Sequence, residues 1–441
     1  MAPRAVLIRG GRLIDPRWDI SGQRDLLLAD AKVAAVSEAP LVPGRGQVPG
    51  DAEVIDASGR WVLPGLIDLH VHLREPGEEG KETVLTGSRA AVAGGFTTVV
   101  AMPNTRPVND SALVTEYVLA RAREAGLCRV LPAGAISKGL AGQEMAEMGA
   151  LVAAGCVCIT DDGHPVMNGA LMRRVLQYAR QFDIPVMVHE EDLALSAHGT
   201  ASEGPRATRM GLLPIPPSAE VAMVARDLAL LEETGGRLHL AHLSCEGSVR
   251  RVREAKGRGL RVTAEVTPHH FTLTDAALEG YDTHAKMNPP LRLDRDVQAL
   301  LEAMADGTVD AVATDHAPHG PLGKAVEFDR AINGVVGLET ALPLLLERVR
   351  DRTLSAERAV ALLTSGPSAA FGLETGHLGL GAPADVAVVD PEAEWTVRAD
   401  AFFSKSRNTS FEGRAVRGKV THTLVGGRVI FREGRIEGTS A

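Results

Sequence analysis

His70 and His72, separated by one residue, are the first side chains in this sequence whose type and spacing can do chemistry. Strand side chains alternate between faces, so residues two apart point the same way, with Cα atoms about 6–7 Å apart. Both imidazoles can then reach one divalent ion from a single strand. Leu66-Ile67-Asp68-Leu69 before the pair reads as a buried strand, and Arg74-Glu75-Pro76-Gly77 after it reads as a turn. A polar pair at the mouth of such a strand needs a partner. Single histidines close two more apolar runs: His189 follows Val186-Met187-Val188, and His242 follows Leu238-His239-Leu240-Ala241. Taken alone, each is an ordinary hydrogen-bonded core histidine; taken with the first pair, they favour metal binding. Asp161-Asp162 follows Cys158-Ile159-Thr160, and one of these carboxylates can bridge two ions, although Asp162 also suits a turn or cap.

Asp315, in Thr314-Asp315-His316-Ala317-Pro318-His319, ends a further apolar run. A carboxylate beside a metal can accept a proton from water and return it to a leaving group. Four histidines with carboxylates suit Zn²⁺ or a related first-row ion, whereas hard-ion sites are all oxygen. The chemistry is metal-assisted hydrolysis or the reverse condensation. Arg74, Asn104, Asn288 and His319 form a recognition set for a carboxylate and ureido or imide edges. Individually each is as well explained by structure; together they point to a small, anionic, amide-like substrate.

The elements that must position these residues alternate between about 60 and 370. Apolar runs recur at 66–72, 97–102, 129–136, 157–160, 185–189, 238–243, 261–266 and 309–314. Amphipathic, alanine-rich stretches lie between them, among them 83–93, 111–125, 169–182, 219–233 and 294–305. Eight strands with intervening helices make a (β/α)₈ barrel, with a doubly wound open sheet as competitor. Five of the eight runs end in a metal-type residue, and a barrel collects strand ends on one rim, which favours the barrel. Both chain ends read as short strands sharing a Gly-Gly-Arg turn, at 10–12 and 426–428. They are expected to form one small β-sandwich domain. The expected division is 1–58 and 376–441 for that domain, with the metal-dependent barrel over 59–375.

Composition excludes more than it assigns. The 441 residues carry 47 basic and 56 acidic side chains, a net charge of −9, with 45% hydrophobic and 3% aromatic residues. That is enough apolar chain for a sizeable core and argues against disorder. The acidic excess and few aromatics argue against nucleic-acid partners. No run approaches the roughly 20 apolar residues of a membrane span. The four cysteines include no CxxC pair and suit a reducing cytoplasm. The 14 histidines are the informative count, because they cluster at 70 and 72, 269 and 270, and 316 and 319.

DLHVHLREPG, GGFTTVVAMPNTRP, ITDDG, HEED, PIPPSAE, AHLS, VTPHH, KMNPPLR and TDHAPH, in order from about 65 to 339, resemble class I dihydroorotases of the amidohydrolase superfamily. MPNTRP with KMNPPLR is the more specific part. The resemblance implies reversible cyclisation of N-carbamoyl-L-aspartate to L-dihydroorotate plus water, in pyrimidine synthesis. It implies one zinc held by His70, His72, Asp161 and Asp315, and a second held by His189 and His242 with Asp161 bridging. Asp161 is preferred to Asp162 by motif alignment alone, and the number of zinc ions, one or two, stays open. Asp315 would be the catalytic acid–base. Arg74, Asn104, Asn288 and His319 would bind substrate, with backbone contacts from Asn333 and Gly334. A homo-oligomer, and a complex with aspartate transcarbamoylase, are the implied assemblies.

Two departures stand out. Many superfamily members carry a carboxylated lysine where this chain has Asp161-Asp162, and relatives often have cysteine where it has Glu190. The competing readings are a hydantoin or allantoin hydrolase, for which a carboxylate clamp is wasted, and a non-catalytic partner of aspartate transcarbamoylase, which would have lost metal ligands. Residues 320–325, with two glycines and a proline, are the candidate active-site lid.

Overall fold

The computed structural model describes residues 5–437; the first four residues of the expected 1–58 segment and the last four of 376–441 lie outside it. The eight apolar runs become eight parallel strands paired in chain order: Leu66–Val71, Phe96–Ala101, Arg129–Gly134, Cys158–Ile159, Val186–Val188, Leu238–Leu240, Val262–Val266 and Ala311–Val312. Every residue of the first two is buried, which is why they read as largely apolar rather than as a regular apolar–polar alternation. The ring closes beyond the eighth strand. Val71 and His316 pair in parallel, and the His72 N–H donates to the His316 carbonyl at 2.9 Å. This is the expected (β/α)₈ barrel.

Local sequence sets where the helices begin. Thr83 caps Val84–Ala93, its hydroxyl accepting from Thr86 N, and Asn168 caps Gly169–Ala179 by accepting from Ala170 N and Leu171 N. The second of these buries Leu171, Met172, Val175, Leu176 and Ala179, a stripe with helical period. The expected stretch 169–182 ends as a 3₁₀ turn, Arg180–Phe182. Ala112–Ala125, Ser218–Thr234 and Asp294–Asp306 fill the other expected helical stretches. No helix among the described residues is long and apolar enough to cross a membrane.

Both chain ends share one mixed, nine-stranded sheet. Trp61–Pro64 joins them, pairing in parallel with Val6–Asp15 and antiparallel with Val386–Thr396. Alternate residues of Val6–Asp15 serve different apolar clusters: Val6 and Ile8 in one, Leu7 in the other. Gly65 then carries the chain into the first barrel strand. A Cβ there would lie 2.2 Å from Thr97 Oγ1, so the approach of the two strands demands glycine.

Two excursions crowd the rim on which the strands end. Residues 190–217 contain the short helix Pro205–Met210 and a two-stranded ribbon, Ala201–Ser202 with Pro214–Ile215. The other follows the eighth strand and includes 320–325, the expected lid. That stretch is tied down: Lys324 is buried and its Nζ donates to the carbonyls of Thr283 and Lys286 at 3.0 and 3.1 Å.

Candidate metal centre

Strand alternation puts His70 and His72 on one side, with ring centroids 5.3 Å apart and both rings buried. His70 Nδ1 lies 2.9 Å from Glu265 Oε1, and the other oxygen of that carboxylate lies 3.0 Å from His239 Nε2. Burial opposes ionisation of Glu265, but hydrogen bonds from His239 and His70 outweigh it and hold the carboxyl down at about 2. A carboxylate on Nδ1 fixes the tautomer and turns Nε2 of His70 outward as a ligand atom. His72 is set the same way, with Nδ1 2.9 Å from the Asn104 amide oxygen at the end of the second strand. Its Nε2 lies 3.0 Å from Asp315 Oδ1.

The fourth strand corrects the expectation about its two aspartates. Asp161 turns away from the histidines, its Oδ1 accepting from Ser137 N at 2.9 Å while Oδ2 takes the Ser137 hydroxyl. Asp162 takes the central position. Its Oδ1 lies 3.2 Å from His70 Nε2 and 3.6 Å from His242 Nε2, and its Oδ2 lies 3.5 Å from His72 Nε2. Their electrostatics separate accordingly. Burial pushes Asp161 up to about 6. Burial also opposes the charge on Asp162, but the surrounding histidines prevail and hold it well below the ordinary carboxylate range. The turn at the strand end makes the choice, since neighbouring residues must point in different directions and only the second faces inward.

Two sets of ligand atoms result, one from His70, His72 and Asp162 and one from Asp162, His189 and His242, each within 4.8 Å. Asp162 belongs to both. Asp315 Oδ1 lies beside the first set, 3.6 Å from His70 Nε2 and 3.0 Å from His72 Nε2. His189 Nδ1 faces His242 Nε2 at 2.9 Å, and its Nε2 lies 3.1 Å from Glu191 Oε2. Buried polar atoms ordinarily find partners, yet His70 Nε2 and Asp162 Oδ1 face each other at 3.2 Å without forming an aligned hydrogen bond. Converging, deprotonable nitrogens and oxygens with orphaned atoms between them fit a divalent metal.

Beside the centre, Arg74 Nε donates to Pro318 O at 3.2 Å, and its Nη2 lies 3.4 Å from His319 Nε2. Asn288 Nδ2 donates to Glu191 Oε2 at 2.9 Å, which ties it to His189. Gly334 has φ +124°, and a Cβ on it would lie 2.8 Å from Ala317 Cβ and 3.1 Å from His319 Nε2. Its N–H goes to Lys286 O at 3.0 Å and its carbonyl accepts from Asn408 Nδ2 at 3.1 Å. Its place in the site therefore comes from having no side chain. Asn333, before it, is exposed.

Glu265, Glu191 and Asn408 were missed in the sequence. A signal existed for Glu265, since a carboxylate inside the apolar run Val262–Val266 must have a partner. Glu191 sits two residues after His189, but only Glu190 beside it drew notice. Asn408 gave no signal, because nothing local ties residue 408 to a barrel rim.

A parallel barrel gathering histidines and carboxylates on one rim in this way has the architecture of the amidohydrolases, and residues 260–431 match a model described as "Amidohydrolase family". Residues 59–248 match one described as "Dihydro-orotase-like". The chain is 58% identical to the dihydroorotase of Anaeromyxobacter dehalogenans strain 2CP-C, over 98% of this chain and 99% of that one. It is 52% identical to the dihydroorotase of Syntrophotalea carbinolica, over 97% and 99%. The chain belongs to the dihydroorotase family. Similar solved structures include the L-hydantoinase of Arthrobacter aurescens, with 26% identity and a TM-score of 0.87 over 98% of this chain and 97% of that one. A dihydropyrimidinase from Brevibacillus agri NCHU1002 has the same identity and a TM-score of 0.82, over 98% and 96%.

Proposed function

We propose that this chain interconverts N-carbamoyl-L-aspartate and L-dihydroorotate at a zinc centre held by His70, His72, Asp162, His189, His242 and Asp315. The observation that carries this reading is one carboxylate, Asp162, shared by two pairs of strand-end histidines, with Arg74 and His319 beside them. Zinc bound there would lower the pKa of water toward about 7 and polarise the ring amide carbonyl. In the hydrolytic direction Asp315 takes the proton of the attacking water and delivers it to the departing ring nitrogen; synthesis reverses both transfers. Asp315 stands at the eighth-strand end with Oδ1 3.0 Å from His72 Nε2 and 3.6 Å from His70 Nε2, beside the histidines where the water would be held, which suits it to accept that proton. Arg74 clamps the substrate carboxylate, with His319 and Asn288 at its polar edges. Asn104 supports His72 through its amide oxygen, which leaves its amide nitrogen as the donor available to substrate.

Arg74→Met should raise KM for dihydroorotate about tenfold to a hundredfold, the size of a lost charged hydrogen bond. Wild-type protein should turn over dihydroorotate far faster than hydantoin. Faster hydantoin turnover with no effect of Arg74→Met would reverse the assignment. We place the enzyme in the cytoplasm, in keeping with four buried, unpaired cysteines. The resemblance also motivates a homo-oligomer and a complex with aspartate transcarbamoylase. Sedimentation of the chain alone and with that enzyme tests both, and a monomer that ignores it would remove them.

A further inference from the structure

The segment 402–411 lies in the C-terminal part of the chain, between the turn Ala399–Ala401 and the sheet strand Ala415–Val425. Instead of staying with the sheet it crosses to the barrel rim. Ser404 donates to the buried carboxylate of Glu82, and Ser406 Oγ donates to Lys81 O at 2.7 Å. Asn408, 3% exposed, makes the most side-chain bonds to the rim. Its Oδ1 accepts from His319 N at 3.0 Å, and its Nδ2 donates to Ala317 O at 2.9 Å and Gly334 O at 3.1 Å. Its backbone carbonyl accepts from Val336 N at 2.9 Å. One side-chain amide thus brackets Pro318 on both sides and ties that turn to Gly334.

Pro318 carries the carbonyl that accepts from Arg74 Nε, and the His319 ring lies against Arg74 and Gly334. No other side chain among the described residues is bonded to both flanks of Pro318. The metal-type residues are held separately: His72 through the His316 carbonyl, and the eighth-strand end through Asp68, which accepts from Thr314 N at 3.0 Å. We infer that Asn408 is a positioning residue for substrate binding, setting the Pro318 carbonyl and the His319 ring that together aim Arg74 at the substrate carboxylate. This rests on reading Arg74 and His319 as substrate contacts.

A residue acting in this way should change KM and spare kcat. Asn408→Ala, assayed with dihydroorotate and zinc-replete enzyme, should raise KM about tenfold while kcat stays within about threefold and zinc content is unchanged. Combined with His319→Ala it should add little, because both changes disable one unit. Asn408→Asp keeps the shape and the acceptor for His319 N but sets an oxygen against two carbonyls, so it should show the same split. If Asn408→Ala does not fold, that variant decides alone. The inference is overturned if His319→Ala raises KM while the Asn408 variants leave it unchanged, add their full effect, or lower kcat with loss of zinc. If His319→Ala itself leaves KM unchanged, the substrate-contact reading fails instead.

Discussion

Asp161 and Asp162 share a backbone turn and differ in what meets their oxygens, so they should respond oppositely to the same substitution. Asp162→Asn removes the one carboxylate common to both histidine pairs and should leave protein that is poor in zinc and without measurable turnover. Asp161→Asn should keep its zinc and lose only stability, about 1–3 kcal/mol, as the bonds from Ser137 are disturbed. Metal analysis with urea denaturation of the two variants separates these outcomes, and the reverse pattern would restore Asp161 to the centre. Glu265→Gln tests the support beneath His70. Losing the carboxylate that orients a ligand typically lowers metal affinity about 10–100-fold, so zinc competition should show a loss of that order. Unchanged affinity would make Glu265 a partner of His239 only. At this scale the HxH pair was legible because strand alternation is local. Which of two adjacent aspartates faces inward was not, because it depends on Ser137 at the end of another strand.

The elements were the most legible level. All eight apolar runs became barrel strands, because strands buried on both faces are mostly apolar, and the few polar residues inside them, such as Asp68, His239 and Glu265, are hydrogen-bonded. The excursions were harder to read, since their order comes from side chains meeting backbone groups far away in sequence. Lys324 is the clearest case. Its Nζ serves Thr283 O and Lys286 O, while Thr283 Oγ1 donates back to Lys324 O at 2.7 Å. Burial, then the charge of Lys286, pulls Lys324 down to about 7 from an ordinary 10.5. Between those values the unfolded chain binds more protons than the folded one, so this group adds stability as pH rises and carries its full cost below about 7. The unfolding free energy of wild type minus that of Lys324→Met should therefore climb between about pH 7 and 9 in urea titrations. A difference that is flat with pH would show the ammonium to be fully accommodated by its two carbonyls.

Across the whole molecule, the terminal sheet does more than join the two ends. The chain that builds its last strands also sends Ser404, Ser406 and Asn408 onto the rim, where they bond Glu82, Lys81 and Ala317, so residues more than 80 positions beyond Asp315 pack against the barrel beside the site. The sequence showed that both ends form strands but not that a loop between them reaches the site, because coil carries no periodicity to read. The net charge of −9 also takes on meaning only here. On the function proposed above, an anionic substrate is drawn by the local positive charge of the metal and Arg74 against the field of the whole chain.

The attacking water, the proton transfer and the substrate carbonyl all meet at the proposed metal centre, so zinc titration of chelated protein reads the whole site at once. Dihydroorotate turnover and zinc content are followed together as the ion is removed and returned. Turnover should fall to background with the metal and recover in proportion to zinc, saturating at one or two ions per chain as the two histidine pairs around Asp162 fill. Protein shown by analysis to be free of metal that still turns over dihydroorotate at its original rate would contradict the account.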